Sequence, residues 1–206
     1  MVIVEQLNQR RALVLASASP RRREILTQLG ASFRIIPSGI DERLLPGETP
    51  EVHVQRLARE KANEVRQRLA NELDRPCLLS ADTIVVIDGD VLGKPRDDDD
   101  AFAMLTRLSG RVHRVLTALF ACEIGGEWQG ARLLSTEVRF RTLDERSVRA
   151  YVASGEGRDK AGSYAIQGLG AGLVRDIVGS YTNVVGMPAA ETVDLLLEAG
   201  VLEDWP

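Results

Sequence analysis

Apolar residues along this chain follow two periods, and the change from one to the other marks out its elements. Val54, Leu57, Ala58, Ala62, Val65 and Leu69 recur three and four residues apart, which predicts a helix over about residues 50–73. A short apolar run at 12–16 and β-rich segments at about 33–36 and 77–87 read as strands, the last turning at Asp88-Gly89 into a short return strand at Val91-Leu92. A longer hairpin joins 112–124 to about 132–140 through Gly125-Gly126. Ser19 as N-cap, Pro20 as first helical residue and Gly30 past the end delimit another helix. Further helices are expected at 97–108, 143–153 and 189–199, and a strand at 173–178 after the glycine-rich stretch 155–172. Residues 37–50 hold three prolines and two glycines and read as a loop, and residues 1–10 as an N-terminal extension.

Alternating strands and helices around a central hairpin, without an internal repeat, predict an α/β or α+β fold with a mixed twisted sheet and flanking helices. No linker-like composition divides residues 11–206 into two domains, and two lobes of one domain around a cleft fit the same pattern. With 44% apolar but only 4% aromatic residues, the core must rest on Leu, Val, Ile and Ala. The 26 basic and 30 acidic residues leave a net charge of −4, which offers no general attraction to nucleic acid or an anionic membrane. Phosphate chemistry would therefore depend on local basic residues. Cys77 and Cys122 lie far apart without a CxxC, so buried thiols are expected rather than a disulfide or a zinc site. The apolar run after Arg10-Arg11 is too short for an export signal, and the chain is expected to be cytoplasmic.

Four positions fit stability poorly, and such conflicts point to function. Arg21, Arg22 and Arg23 put cations at the positive end of a helix dipole, an arrangement suited to a bound phosphate; a solvated basic turn is the plain alternative. Lys61 falls on the apolar stripe of the long helix and points inward, unless it snorkels at the stripe's edge. Asp82 interrupts what otherwise reads as a central strand, where a carboxylate is costly unless paired, protonated or metal-bound. It is the strongest catalytic candidate, against the alternative of a strand-end cap. Lys94, in Gly93-Lys94-Pro95, is a near miss to a P-loop. The acidic run 97–100 reads as a helix cap, Gly168–Gly172 lacks dinucleotide-binding spacing, His53 and His113 are isolated, and Trp128 reads as a hairpin-tip residue.

Leu15-Ala16-Ser17-Ala18-Ser19-Pro20-Arg21-Arg22, Gly39-Ile40-Asp41-Glu42, Arg59-Glu60-Lys61-Ala62, Ser80-Ala81-Asp82-Thr83, Lys94-Pro95 and Ala161-Gly162-Ser163-Tyr164-Ala165-Ile166-Gln167-Gly168, in that order, resemble the motifs of the Maf family of nucleoside triphosphate pyrophosphatases. The resemblance implies a Maf-like domain over 11–206, an elongated two-lobed α/β fold around a central cleft, a divalent metal and, in many members, a homodimer. It also implies hydrolysis to a nucleoside monophosphate and pyrophosphate. Asp82 matches the family's proton acceptor, Glu42, Lys61 and Lys94 its other catalytic cleft residues, and Arg21, Thr83 and Gln167 the positions tied to substrate choice. Ser17 and Arg22 join the substrate-binding set. The Gln167 segment looks like the branch acting on dTTP and UTP, with modified pyrimidine nucleotides as further candidates, rather than the branch acting on 7-methyl-GTP. Ser163, Ala165 and Met187 depart from the more usual alanine, glycine and leucine.

Elementary chemistry gives these residues matching roles. Asp82 and Glu42 can offer oxygen ligands to Mg²⁺ or Mn²⁺, with Co²⁺ a further candidate. Arg and Lys offset phosphoryl charge, and Gln167 carries the donor and acceptor that match the O4 and N3–H edge of uracil or thymine. Two expectations depend on the structure. Methionine at position 61 should suit the helix stripe without loss of stability, and Asp82 and Thr83, as strand neighbours, should face opposite sides unless the strand ends or bulges there. The competing class is a nucleotide-binding regulator of cell division with little catalysis, since the family is also associated with septum formation.

Overall fold

The computed structural model describes residues 8–72 and 74–205. Helices start where the sequence places side-chain caps. Ser19, Thr49, Asp97 and Asp144 each accept from the backbone N–H three residues on, opening α1 (Pro20–Gln28), α2 (Pro50–Arg68), α3 (Asp98–Leu108) and α4 (Glu145–Ser154). Helix α2 stops short of the expected 73 because its apolar stripe runs out at Leu69, after which Ala70 and Asn71 are exposed. Leu73 itself lies outside the described residues. A short helix that the sequence did not reveal, α5 (Tyr181–Val185), precedes α6 (Ala189–Glu198).

The strands are β1 (Leu13–Leu15), β2 (Phe33–Ile35), β3 (Cys77–Ile87), β4 (Asp90–Leu92), β5 (Val112–Glu123), β6 (Gln129–Phe140) and β7 (Val174–Val178). They form one sheet in the order β2-β1-β3-β5-β6-β7, with β4 paired to β3. The sheet is mixed: β1 lies parallel to both β2 and β3, whereas β3–β4 and β6–β7 are antiparallel. Asp88 and Gly89 both take positive φ, 55° and 86°, as the tight hairpin between β3 and β4 requires. The expected mixed sheet with flanking helices is thus the observed architecture.

Packing divides the described residues into two compact units, one drawn from Met1–Asp82, Ala118–Leu133 and Gly186–Pro206, the other from Thr83–Thr117 and Leu134–Val185. In the first, Leu13, Leu15, Leu26, Leu57, Leu78 and Leu79 are fully buried. The described part of the N-terminal extension is tied down: Gln9 bridges to Leu202, the Arg10 amide donates to Val201 O at 2.9 Å, and the Arg10 side chain pairs with Glu203. Cys77 and Cys122 are both free and buried, and burial pushes the Cys77 thiol up to about 12. In the second unit the core gathers Val85, Leu105, Leu108, Val138, Phe140 and Tyr164. Among the described residues no helix is long and apolar enough to cross a membrane.

Candidate active site

Ten of the eleven residues of β3 are buried, Asp82 at their centre included. Residues 80 and 82 share one face of the strand, turned to α2. Ser80 Oγ donates to Ala58 O at 2.6 Å, and Lys61, three residues along the same helix, donates from Nζ to Asp82 Oδ1 at 2.6 Å. Asp82 is 6% exposed and Lys61 7%, so neither a strand-end cap nor a snorkelling lysine describes them. The same ammonium lies 2.6 Å from Glu42 Oε1, which reaches in from the exposed loop before α2. One cation is thus shared by two carboxylates, which offsets the cost of burying Asp82.

The β1–α1 turn supplies Ser17, and the first turn of α1 supplies Arg21 and Arg22. Arg22 is buried, with Nε donating to Gly186 O at 2.9 Å and Nη1 to Ala81 O at 2.8 Å and Ser17 Oγ at 3.2 Å. Burial lowers its pKa, opposed by the charges of Asp82 and Glu42. Arg22 thereby ties the turn to the residue just before Asp82, a bracing role that spacing alone did not reveal. Arg21 is half-buried and Arg23 exposed, and α1 has no acidic residue in its first turn.

The loop carrying Glu42 has its own anchor. Glu48 accepts from both Arg56 Nη2, at 2.9 Å, and Leu45 N, at 2.9 Å, and His53 Nδ1 lies 3.2 Å away. Arg56 Nη2 also donates to Arg43 O at 3.1 Å, and chiefly Arg56 holds the Glu48 carboxyl down at about 2. His53, read as isolated, therefore belongs to the network that fixes this loop.

Thr83, Lys94 and Gln167 belong to the second unit. Strand β3 runs unbroken through Asp82 and Thr83, and their side chains take different partners: Thr83 Oγ1 lies 2.9 Å from Thr117 Oγ1 on β5. Thr117 donates in turn to Asn183 O at 3.0 Å, and Asn183 Nδ2 to Val115 O at 3.0 Å and Thr136 Oγ1 at 2.9 Å. Asn183 sits in α5, and its signal was the polar run Ser180-Tyr181-Thr182-Asn183, in which Ser180 Oγ accepts from Asn183 N. Lys94 is exposed, just past β4, and its neighbour Gly93 accepts from Gly162 N at 3.0 Å. Gly162 takes φ +66°, and a Cβ there would meet Val85 Cγ2 at 3.0 Å, so the turn before Gln167 demands glycine. Gln167 is half-buried in extended backbone.

The acidic run is occupied otherwise: Asp97 caps α3, Asp98 pairs with Arg158 and Asp100 with Arg96. Among the described residues no group of three or more His, Cys, Asp or Glu is assembled for a metal. The pair Glu42 and Asp82, converging on one cationic point, is nonetheless the donor type that Mg²⁺ or Mn²⁺ accepts, since such ions take one or two carboxylates and complete their shell with water and phosphate.

Comparison with known proteins agrees in extent with these motifs. A dTTP/UTP pyrophosphatase of Anaeromyxobacter dehalogenans is 50% identical over 197 residues, 94% of this chain and 96% of the relative. Proteins of the same name from Syntrophomonas wolfei and Pseudoalteromonas atlantica are 46% and 49% identical, covering 90% and 89% of this chain and 96% and 95% of theirs. The family described as Maf-like protein matches residues 12–199, which takes in every candidate residue in both units. The chain belongs to the Maf-like protein family.

Proposed function

We propose that this protein hydrolyses dTTP and UTP between the α and β phosphates, releasing the nucleoside monophosphate and pyrophosphate. The observation that carries this reading is the buried Asp82 carboxylate, which shares Lys61 with Glu42. The names of the relatives support the substrate class. Asp82 accepts a proton from the water that attacks the α-phosphorus. The bond from that phosphorus to the bridging oxygen breaks, and its electron pair leaves with pyrophosphate. Lys61 holds the two carboxylates at one point. Arg21 and Lys94 offset charge on the phosphoryl oxygens, while Arg22 and Ser17 fix the β1–α1 turn. Glu42 and Asp82 would hold a divalent cation, whose charge would stabilise the phosphate oxygens as negative charge builds. Gln167 and Thr83 set the preference for the base.

The chain works as a soluble cytoplasmic enzyme in this reading. A regulator that only bound nucleotide would have no use for a buried base held by a lysine, so the enzyme reading is preferred. The test is pyrophosphate release from dTTP, UTP, CTP, GTP and 7-methyl-GTP, with and without Mg²⁺, Mn²⁺ or Co²⁺. Metal-dependent release led by dTTP and UTP is expected. Binding without turnover under every condition would favour the regulator.

A further inference from the structure

A base-reading amide can discriminate only if it is held at a fixed distance and angle from the base edge, and that placement starts with the backbone that carries it. The segment around Gln167 is held from the end of α4. Gly155 closes that helix in the left-handed region at φ 73° and turns Glu156 back along it. Glu156 then accepts from two successive amides just beyond Gln167: Leu169 N on Oε2 at 2.9 Å and Gly170 N on Oε1 at 2.8 Å. Oε1 also accepts from the Tyr151 hydroxyl at 2.9 Å, and that hydroxyl accepts from Ala165 N at 3.1 Å, two residues before Gln167. Tyr151 itself is buried, 6% exposed.

The backbone is therefore pinned on both sides of Gln167. The fit is close: a Cβ on Gly168 would lie 2.5 Å from Glu156 Oε2, and one on Gly170 would lie 2.8 Å from the Tyr151 oxygen and 2.1 Å from Ala165 O. These donors outweigh the effect of burial and hold the Glu156 carboxyl below the usual glutamate range. It remains an acceptor for all three contacts at neutral pH.

We propose that Tyr151 and Glu156 are positioning residues for base selectivity, a clamp that fixes the backbone of Gln167 and so the place from which its amide reaches the O4 and N3–H edge. This rests on the reading of Gln167 as the residue that recognises the base. Neither residue belongs to the group of Asp82, Lys61 and Glu42, so the clamp acts on the ratio of substrates rather than on the chemical step.

The experiment compares kcat/KM for dTTP and CTP in the unmodified protein, Tyr151→Phe, Glu156→Gln, Gln167→Ala and the double variant Glu156→Gln/Gln167→Ala. A ratio measured within one variant is insensitive to how much of it is folded, so a merely structural defect lowers both values and leaves the ratio alone. Tyr151→Phe removes a single hydroxyl and serves if Glu156→Gln fails to fold. The clamp predicts that the dTTP/CTP ratio falls about tenfold or more in each clamp variant, with kcat for dTTP little changed. It also predicts that the double variant discriminates no worse than Gln167→Ala alone, because the two residues act as one unit. An unchanged ratio in Tyr151→Phe or Glu156→Gln, alongside a collapsed ratio in Gln167→Ala, overturns the clamp but leaves the base reading. If Gln167→Ala keeps the ratio, base reading through Gln167 falls, and the clamp with it.

Discussion

Arg22, Lys61 and Asp82, the buried charged side chains among the described residues, all lie in the first unit, whereas the buried polar side chains of the second, His113, Thr117, Thr136, Ser163 and Asn183, are uncharged near neutral pH. The first unit keeps ions where water is scarce and balances them against one another. The second keeps neutral donors and acceptors and leaves its ion pairs, such as Arg111–Asp88 and Arg158–Asp98, largely exposed. Buried charge is what moving a proton and neutralising phosphate require, and fixed neutral groups are what reading a base edge requires. In the proposed reading the contrast sets proton transfer in the first unit against base recognition in the second, with Lys94 of the second unit serving the phosphate, and variants in either unit can break it.

The largest effect is expected from Asp82→Asn. The amide is nearly isosteric but cannot accept the proton, so kcat should fall by about 10²–10⁴, while circular dichroism shows the fold intact. Turnover near that of the unmodified protein would take Asp82 out of the chemistry. Lys61→Met comes next, and here the structure points against the sequence expectation that methionine would keep stability while activity falls. Lys61 is the shared partner of Asp82 and Glu42, so its loss leaves a buried carboxylate unpaired. Destabilisation of about 3–5 kcal/mol is expected in urea denaturation, and Lys61→Met/Asp82→Asn should recover much of it. A single variant as stable as the parent would show that the pair does not hold the first unit together.

The second unit should respond to pH instead. Burial in contact with Phe140 and Tyr164 pushes His113 down to about 4. Its folded pKa lies below the unfolded value of about 6.5, so the unfolded chain binds the extra proton as pH falls through that window. Stability from neutral His113 is complete above about pH 6.5 and is lost progressively toward pH 4, by about 2 kcal/mol between pH 7 and 5. His113→Gln should flatten that part of the stability profile; an unchanged slope would assign it to carboxylates elsewhere. The smallest effect is expected at Gln167, where replacement by Ala should reduce the preference for dTTP over CTP about tenfold or more while kcat for dTTP changes little.

The two units also differ in how far their residues could be read from the sequence. Asp82 and Lys61 were legible because charge violates a pattern, a carboxylate within a mostly apolar strand and a lysine on an apolar helix stripe, and burial then ruled out the strand-end cap and the snorkelling lysine. The mixed sheet and most element bounds followed from period, caps and the Asp88-Gly89 turn. Glu42 and Gln167, on loops where polar residues are expected, stood out only through the family resemblance. Tyr151 and Glu156 stayed hidden because their contacts cross 14 positions of the chain and no local rule is broken where they stand, while Asn183, whose contact with Val115 crosses 68, showed only in the polar run around it. Arg22 was legible as an anomaly, but its bonds to Ala81 and Gly186 depend on tertiary packing.

The central claim, that the first unit's buried carboxylate drives water onto the α-phosphorus, is tested most directly by turnover of dTTP in H₂¹⁸O followed by mass spectrometry of both products. The account predicts ¹⁸O in dTMP alone for the unmodified protein, and the same product formed about 10²–10⁴ more slowly by Asp82→Asn. Label in pyrophosphate, which reports attack at the β-phosphorus, or full turnover by Asp82→Asn, would contradict it.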